Sequence, residues 1–488
     1  MNYLSVAFAT FVVIVFGIYN LCAQKMRWIV LLSASVFFYL CYDIRYFFFL
    51  LFAAISSFVC ARYGLDNKRK KSNLIICIGL NVAMWFAVKG LPYWGSVLER
   101  ILGLFGINIE LPIPEFIVPV GISYFVLLAI SYVADVYNGK IKYEQNFLKY
   151  FLYLTYFPTI IQGPISKYES LSAKLVAGKK IDYDTFKSNM LLIIFGLIKK
   201  MVIADRIAIW ANYCFNNYTE LKGSILYVGA LCYSIQLYMD FSGCVDICRG
   251  VSRLFGIELI DNFNAPYFSK SIKEFWGKWH ISLSAWLKDY VYIPLGGNKK
   301  GKIRKYVNLV ITFLVSGIWH GAGLNYIVWG ILQAVYQIAG ECTLNIRKRV
   351  KGTLKIQPDS ISDKIYRTVI TFNLTLISWI FFRSGRLLNA AAYIKRMLSG
   401  FHLWVLFDGT LFKQGITLPQ FVVLLLNIAF VVIVDYWKTK GSKSMEIRIM
   451  EMHTIAKWAC YLLLVFNIIF FGVYGSGYDA SGFLYGGF

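Results

Sequence analysis

Tyr306-Val-Asn-Leu-Val-Ile-Thr-Phe-Leu-Val-Ser-Gly-Ile-Trp-His-Gly-Ala-Gly-Leu-Asn-Tyr-Ile-Val-Trp329 decides the class of fold. No Asp, Glu, Lys or Arg occurs from Tyr306 to Ile338, so the stretch is apolar enough to enter a bilayer, yet it carries an imidazole at His320. A titratable side chain at membrane depth is expensive and usually faces a cavity or a partner, which makes it a functional candidate. Ser316, Gly317, Gly321, Ala322 and Gly323 flank the ring, so backbone or substrate can approach it closely. The chain has only four histidines, and a second one, His280, lies upstream in another Trp-rich segment.

Outward from this stretch the chain is of one kind. Of its 488 residues 58% are hydrophobic, 18% aromatic and 16% charged, and its mean hydropathy is +0.58. These values belong to an all-α polytopic membrane protein rather than a soluble domain. A spanning helix needs roughly 20 mainly apolar residues. The expected spans are 3–22, 28–43, 46–62, 74–90, 116–134, 147–165, 189–208, 225–242, 306–319, 324–340, 366–382, 420–436 and 456–475. About ten to thirteen membrane helices follow, some short enough to be tilted, broken or re-entrant. The N-terminal run lacks a basic n-region and a cleavage site, so it reads as a first span.

The net charge of +24 does not imply a nucleic-acid partner, because the basic residues are dispersed among inter-span loops. The clusters at 68–71, 299–305, 347–349 and 438–448 fit the positive-inside rule for cytoplasmic loops. A basic cytoplasmic face also attracts anionic lipid or a polyphosphate-bearing substrate. The ten cysteines lie mostly in apolar stretches, and Cys244 and Cys248 have no histidine nearby. They read as small hydrophobes, and neither a disulfide framework nor a metal site is expected.

Three segments, Pro119–Tyr124, Phe157–Pro164 and Tyr238–Gly243, interrupt apolar runs with Pro, Gly and hydrogen-bonding groups. Irregular backbone at membrane depth must be satisfied by protein or water, so these breaks predict helices around an internal cavity. Segment 271–290 is amphipathic at helical spacing. Trp276, Trp279, Leu283 and Trp286 mark one face, and Glu274, Lys278 and Asp289 the other. Glu274 and Lys278 form an i,i+4 pair, and His280 falls at the boundary beside Trp276, Ser284 and Leu287. Asp240, Ser242 and Asp246 need partners, for which Arg249 or Arg206 are expected. Arg383 ends an apolar run and is expected to snorkel to the interface. Gln162, beside Gly163-Pro164, is a candidate for lining the cavity.

Phe275-Trp-Gly-Lys-Trp-His-Ile-Ser-Leu-Ser284 and Ser316-Gly-Ile-Trp-His-Gly-Ala-Gly323 resemble the two signature stretches of the membrane-bound O-acyltransferase superfamily. The closer similarity is to its bacterial polysaccharide branch, typified by the alginate O-acetyltransferase membrane subunit. Gly121-Ile-Ser-Tyr124 with Ser131–Tyr137, Phe157–Pro164, Gln236–Gly243 and Trp379–Arg383 agree in order, so the resemblance spans nearly the whole chain. It implies one transmembrane domain over residues 1–488: scaffold helices to about 115, a catalytic core over about 116–385, and C-terminal helices beyond. It also implies a ring of tilted and re-entrant helices around a tunnel, with His320 and His280 catalytic at its constriction. The implied location is the bacterial cell (inner) membrane, crossed many times.

The implied reaction moves an acetyl group from cytoplasmic acetyl-CoA, a donor substrate rather than a bound cofactor, toward an exported polysaccharide. An extracytoplasmic acetyltransferase or other glycan-modifying protein is the expected partner, since no extramembrane domain here could handle a long glycan. The chemistry of the residues agrees. A hydroxyl needs a base to become a good nucleophile, and histidine's pKa of about 6.5 suits that task. His320 is expected as general base or transient acyl carrier, and His280 as the group that orients substrate or polarises the carbonyl. Asp240, Ser242, Trp276, Ser284, Trp319 and Gln162 are the substrate and tunnel candidates. Lys299, Lys300, Lys302 and Arg304 lie between the two histidine segments, where they could meet the donor's phosphates. The alternatives are transfer of D-alanine or another acyl group to a cell-wall polymer, and a transporter with a histidine proton relay. The transporter reading lacks the internal repeats that such proteins often show.

Overall fold

Apolar runs of this length fold as helices because in lipid every backbone N–H and C=O must find its partner within the segment. The computed structural model describes residues 1–65, 68–107, 109, 117–409 and 416–474, and among these it is all-helical, with no β-strand. Five described helices are long and apolar enough to cross a membrane: Ile44–Gly64, Lys70–Lys89, Ile361–Arg383, Leu418–Thr439 and Thr454–Phe471. Val6–Leu21 and Ile122–Tyr137 are apolar but shorter. Much of the expected span 116–134 falls on the last of these, and its residue 116 lies outside the described residues.

The described chain clusters into two compact units. The first holds Met1–Ile193 and Cys244–Ile260, and the second holds Ile194–Gly243 and the described residues from Asp261 onward. In the first unit, Tyr3, Phe8, Phe11, Phe38 and Phe157 form an aromatic cluster with ring centroids 5.0–6.4 Å apart. Tyr3 donates from its hydroxyl to the Phe157 carbonyl at 2.8 Å. The expected span 147–165 is helical only over Phe147–Thr155. Pro158 and Pro164 lack the N–H that a continuing helix needs, and Phe157 N–H is captured instead by Ser35 Oγ at 3.1 Å. The resulting turn packs on Gly121 (φ +78°), where an added Cβ would stand 2.2 Å from the Ile160 carbonyl oxygen. Only glycine fits there.

In the second unit the helices Gly301–His320 and Leu324–Cys342 lie in backbone contact. A Cβ at Gly317 would meet Tyr326 O at 2.4 Å, and one at Gly330 would meet Phe313 O at 2.4 Å. Small residues permit that approach. The expected break at Tyr238–Gly243 is absent, for these residues lie within the unbroken helix Gly223–Leu254. Asp240 does not disrupt it because Lys200 neutralises the carboxylate, Nζ to Oδ1, at 2.5 Å. Gly243 serves packing there, since its added Cβ would lie 2.7 Å from the Gly196 carbonyl oxygen. Lys200 belongs to a π-helical turn, Ile198–Ala204, and also pairs with Asp205 at 2.8 Å. The expected span 189–208 is therefore divided among the helix Tyr183–Leu197, this turn and the helix Asp205–Asn216.

Candidate active site

Segment 271–290 is not one helix. It forms Ile272–Trp276 and Ile281–Leu287, joined by a turn through Gly277–His280. His280 has φ +44° and ψ +54°, the left-handed region, so it leaves the 3.6-residue period that the sequence suggested. The backbone of 262–264 imposes this. Asn264 N–H donates to Lys278 O, and Ile281 N–H donates to Asn262 O, both at 3.0 Å. Phe263 bridges Trp279 in antiparallel fashion, and the Asn262 side-chain oxygen accepts from Ser282 N–H at 2.9 Å. His280 is thus gripped on both sides while its ring lies edge-on to Phe241, centroids 4.7 Å apart. The expected Glu274–Lys278 pair forms at 2.8 Å. Burial pushes the Glu274 carboxyl up, but the Lys278 ammonium and the Lys270 amide hold it below the usual range.

His320 is the last residue of Gly301–His320, and the chain leaves the helix through Gly321, Ala322 and Gly323. The residue is 3% exposed. Around it stand Trp319 at 4.7 Å, Trp329 at 5.1 Å and Phe382 at 5.2 Å between ring centroids. Trp319 also lies 6.0 Å from the His280 ring, so one indole packs against both imidazoles. Forty positions of sequence collapse onto one aromatic box, and the two histidine motifs meet in a single unit.

The other candidates separate into three groups. Trp276 reaches the box indirectly. It packs on Trp329 at 5.7 Å, and its Nε1 donates to Gln333 Oε1 at 3.1 Å, while Gln333 donates to Ser378 Oγ at 2.7 Å. Ser284 sits one turn beyond His280, its amide donating to the His280 carbonyl at 3.0 Å and its hydroxyl to Trp279 O at 3.4 Å. Asp240 and Asp205 both pair with the buried Lys200 ammonium, while Asp246 faces Arg249 at 3.7 Å, as expected. Lys200, a charge inside an apolar run, is a partner that the expectation of Arg249 or Arg206 does not include.

Ser242 is buried and its hydroxyl has no partner among the described residues. Gln162, in the other unit, is fully buried with neither amide atom partnered among the described residues. Leaving a buried polar group unsatisfied costs roughly 1–3 kcal/mol, so such atoms need a reason. Lys299, Lys300, Lys302 and Arg304 are exposed at the N-terminal end of the His320 helix. Sixteen residues separate Arg304 from His320, about 24 Å of helix axis. Asn308 Nδ2 braces the loop before them, donating to Gly297 O at 2.9 Å and Leu295 O at 3.2 Å. Arg383 donates to Asn212 Oδ1 at 2.8 Å and lies over the Phe215 ring, so it is anchored in protein rather than extended to an interface.

Asn262 is the residue that sequence reasoning missed. Its only signal was an amide in an otherwise unremarkable loop, and its role depends on a neighbour 18 residues away along the chain.

Comparison with known proteins places this geometry in context. Residues 120–382 match the model of the membrane-bound O-acyltransferase family. The chain is 32% identical over 435 residues to the probable alginate O-acetylase of Pseudomonas putida, covering 88% of this chain and 86% of that one. It is 31% identical to the peptidoglycan O-acetyltransferase of Helicobacter pylori, over 76% of this chain and 73% of the relative. With the teichoic acid D-alanyltransferase of Bacillus subtilis it shares 29% identity over 62% of this chain and 79% of the relative. His280, His320 and all the rings around them fall inside the family match.

Proposed function

The chain belongs to the membrane-bound O-acyltransferase family, and on that premise we propose that it passes acetyl groups from cytoplasmic acetyl-CoA across the bacterial inner membrane toward an exported polysaccharide. The observation that carries the reading is the convergence of both buried imidazoles on the Trp319 ring. In this reading the acceptor hydroxyl gives its proton to His320 as its oxygen attacks the acyl carbon, and His280 orients the substrate. A buried, ring-walled site also excludes the water that would hydrolyse the thioester.

The charge distribution supports a direction of transfer. Arg347, Lys348, Arg349 and Lys351 precede the helix Ile361–Arg383, and Lys438, Lys440, Lys443 and Arg448 follow or end the helix Leu418–Thr439. By the positive-inside rule both clusters would face the cytoplasm, with 384–409 on the far side. Lys305 pairs with Glu341, which joins the 299–305 loop to the same cytoplasmic end. CoA carries its phosphates at one end and its thioester at the other, so a donor held at Lys299, Lys300, Lys302 and Arg304 must lie lengthwise to reach His320. The acceptor's handling falls to an extracytoplasmic partner acetyltransferase. Similarity to alginate and peptidoglycan O-acetyltransferases over most of the chain favours acetyl over D-alanyl transfer.

The test is transfer of label from radiolabelled acetyl-CoA into alkali-labile esters in membranes of an expressing strain. Wild type should transfer label, and His320→Ala, inserted at normal abundance, should not. Undiminished transfer by that variant, or movement of unmodified solute in place of label, would sink the reading.

A further inference from the structure

An acyl transfer needs more than a base. As the acceptor oxygen bonds to the acyl carbon, the carbonyl π pair moves onto oxygen, and that developing oxyanion must be met by hydrogen-bond donors already in place. Two buried donors beside His320 answer that need. Ser316 is fully buried four residues before His320 on the same helix, and its hydroxyl has no partner among the described residues. Residues four apart share a helix face, and a helical side chain leans back toward the preceding turn, so the His320 ring leans toward Ser316. Trp329 is fully buried with its ring edge-on to His320 at 5.1 Å, and its indole N–H likewise has no partner among the described residues.

Neighbouring polar groups show the alternative outcome, although Trp379 Nε1, stacked on Trp329, also has no partner among the described residues. Thr312, one turn earlier, donates its hydroxyl to Asn308 O at 2.7 Å, the ordinary outcome for a buried hydroxyl on a helix. Trp276 donates to Gln333, and Ser378 both accepts from Gln333 and donates to Thr375 O at 2.6 Å. Every member of that adjacent network is satisfied. The backbone contacts at Gly317 and Gly330 also press the two helices together at the residues next to Ser316 and Trp329. Both donors are therefore fixed on a rigid helix pair rather than on loops.

We propose that Ser316 Oγ–H and Trp329 Nε1–H receive the acyl carbonyl oxygen as it becomes an oxyanion at His320. The assignment rests on the acetyl-transfer reading above. The acceptor's C–O bond forms while its proton passes to His320, and the carbonyl pair rests on oxygen between the two donors. On collapse that pair re-forms the C=O bond, the C–S bond breaks, and CoA leaves as the thiol with the proton from His320.

The experiment is the same radiolabel assay on the full-length chain in membranes, with acetyl-CoA varied to separate kcat from donor KM. Ser316→Ala removes one hydroxyl with almost no change of volume. It should lower kcat about 100-fold with donor KM and thermal midpoint unchanged, and Ser316→Thr should recover most of the rate. Trp329→Phe keeps a ring and loses the N–H, and should act in the same direction. An indole N–H can instead rest on an aromatic face; Trp329→Phe would then lower the thermal midpoint and spare kcat, which overturns its part. If Trp329→Phe does not insert, the Ser316 pair decides. A kcat within threefold of wild type in Ser316→Ala, alongside an inactive His320→Ala, overturns the donor pair and leaves the transfer reading standing. No label transfer by wild type overturns both.

Discussion

At the scale of single residues, the site is built by groups that the chain does not advertise. His280 stands in a left-handed conformation that L-residues seldom adopt, at a cost of order 1–3 kcal/mol. Asn262 holds it there through Ser282 N–H and its own carbonyl. Replacing Asn262 with Ala should remove the side-chain hydrogen bond to the Ser282 amide and destabilise the protein by about 0.5–1.5 kcal/mol. Acetyl transfer should fall with it, because His280 would relax toward a helical φ. Thermal denaturation in detergent and the label assay read the two effects, and a variant with unaltered midpoint and rate would contradict the role. His320 stands out in the sequence because a titratable group is conspicuous in an apolar run, and His280 because it is one of only four histidines and lies in a second Trp-rich segment. Asn262 did not, since an Asn in a loop is ordinary until the fold shows what it grips.

Among the elements, the pair Gly301–His320 and Leu324–Cys342 governs the site's precision. Gly317→Ala should be far from conservative, because its Cβ would fall 2.4 Å from a backbone oxygen that cannot swing away. Overpacking of this kind typically costs about 1–3 kcal/mol. The helices should part slightly, lowering both the thermal midpoint and kcat, whereas Gly340→Ala, with nothing within 4 Å, should change neither. Equal behaviour of the two variants would refute the close-packing argument. The period of the apolar residues announced most of these helices. It misread 271–290, because a period says where side chains point only if the backbone stays helical, and a contact from 262–264 ends the helix there. It also misplaced a break at Tyr238–Gly243, because a charge in an apolar run looks disruptive until its counter-ion is located.

For the molecule as a whole, charge sets orientation and the His320 helix sets distance. Under the proposed function, exchanging Lys299, Lys300, Lys302 and Arg304 for Gln should raise the donor KM severalfold with kcat nearly unchanged, since these groups sit about 24 Å or more from His320. An unchanged KM together with an altered membrane topology, checked by cysteine labelling of the loops, would assign them to orientation alone. By itself the sequence determined that this is an all-helical membrane protein, and its ordered motifs pointed to the acyltransferase family and to His280 and His320. Those properties depend on composition and local pattern, which every chain carries openly. Only the tertiary structure decided that Lys200 pairs with Asp240, and that Trp319 packs against both imidazoles. It alone decided, too, that Ser316 and Trp329 are buried beside His320 with hydrogen bonds still to give. Those facts depend on which distant residues are pressed together, and hydrogen bonds and ion pairs act only over a few ångströms in space, whatever the separation along the chain.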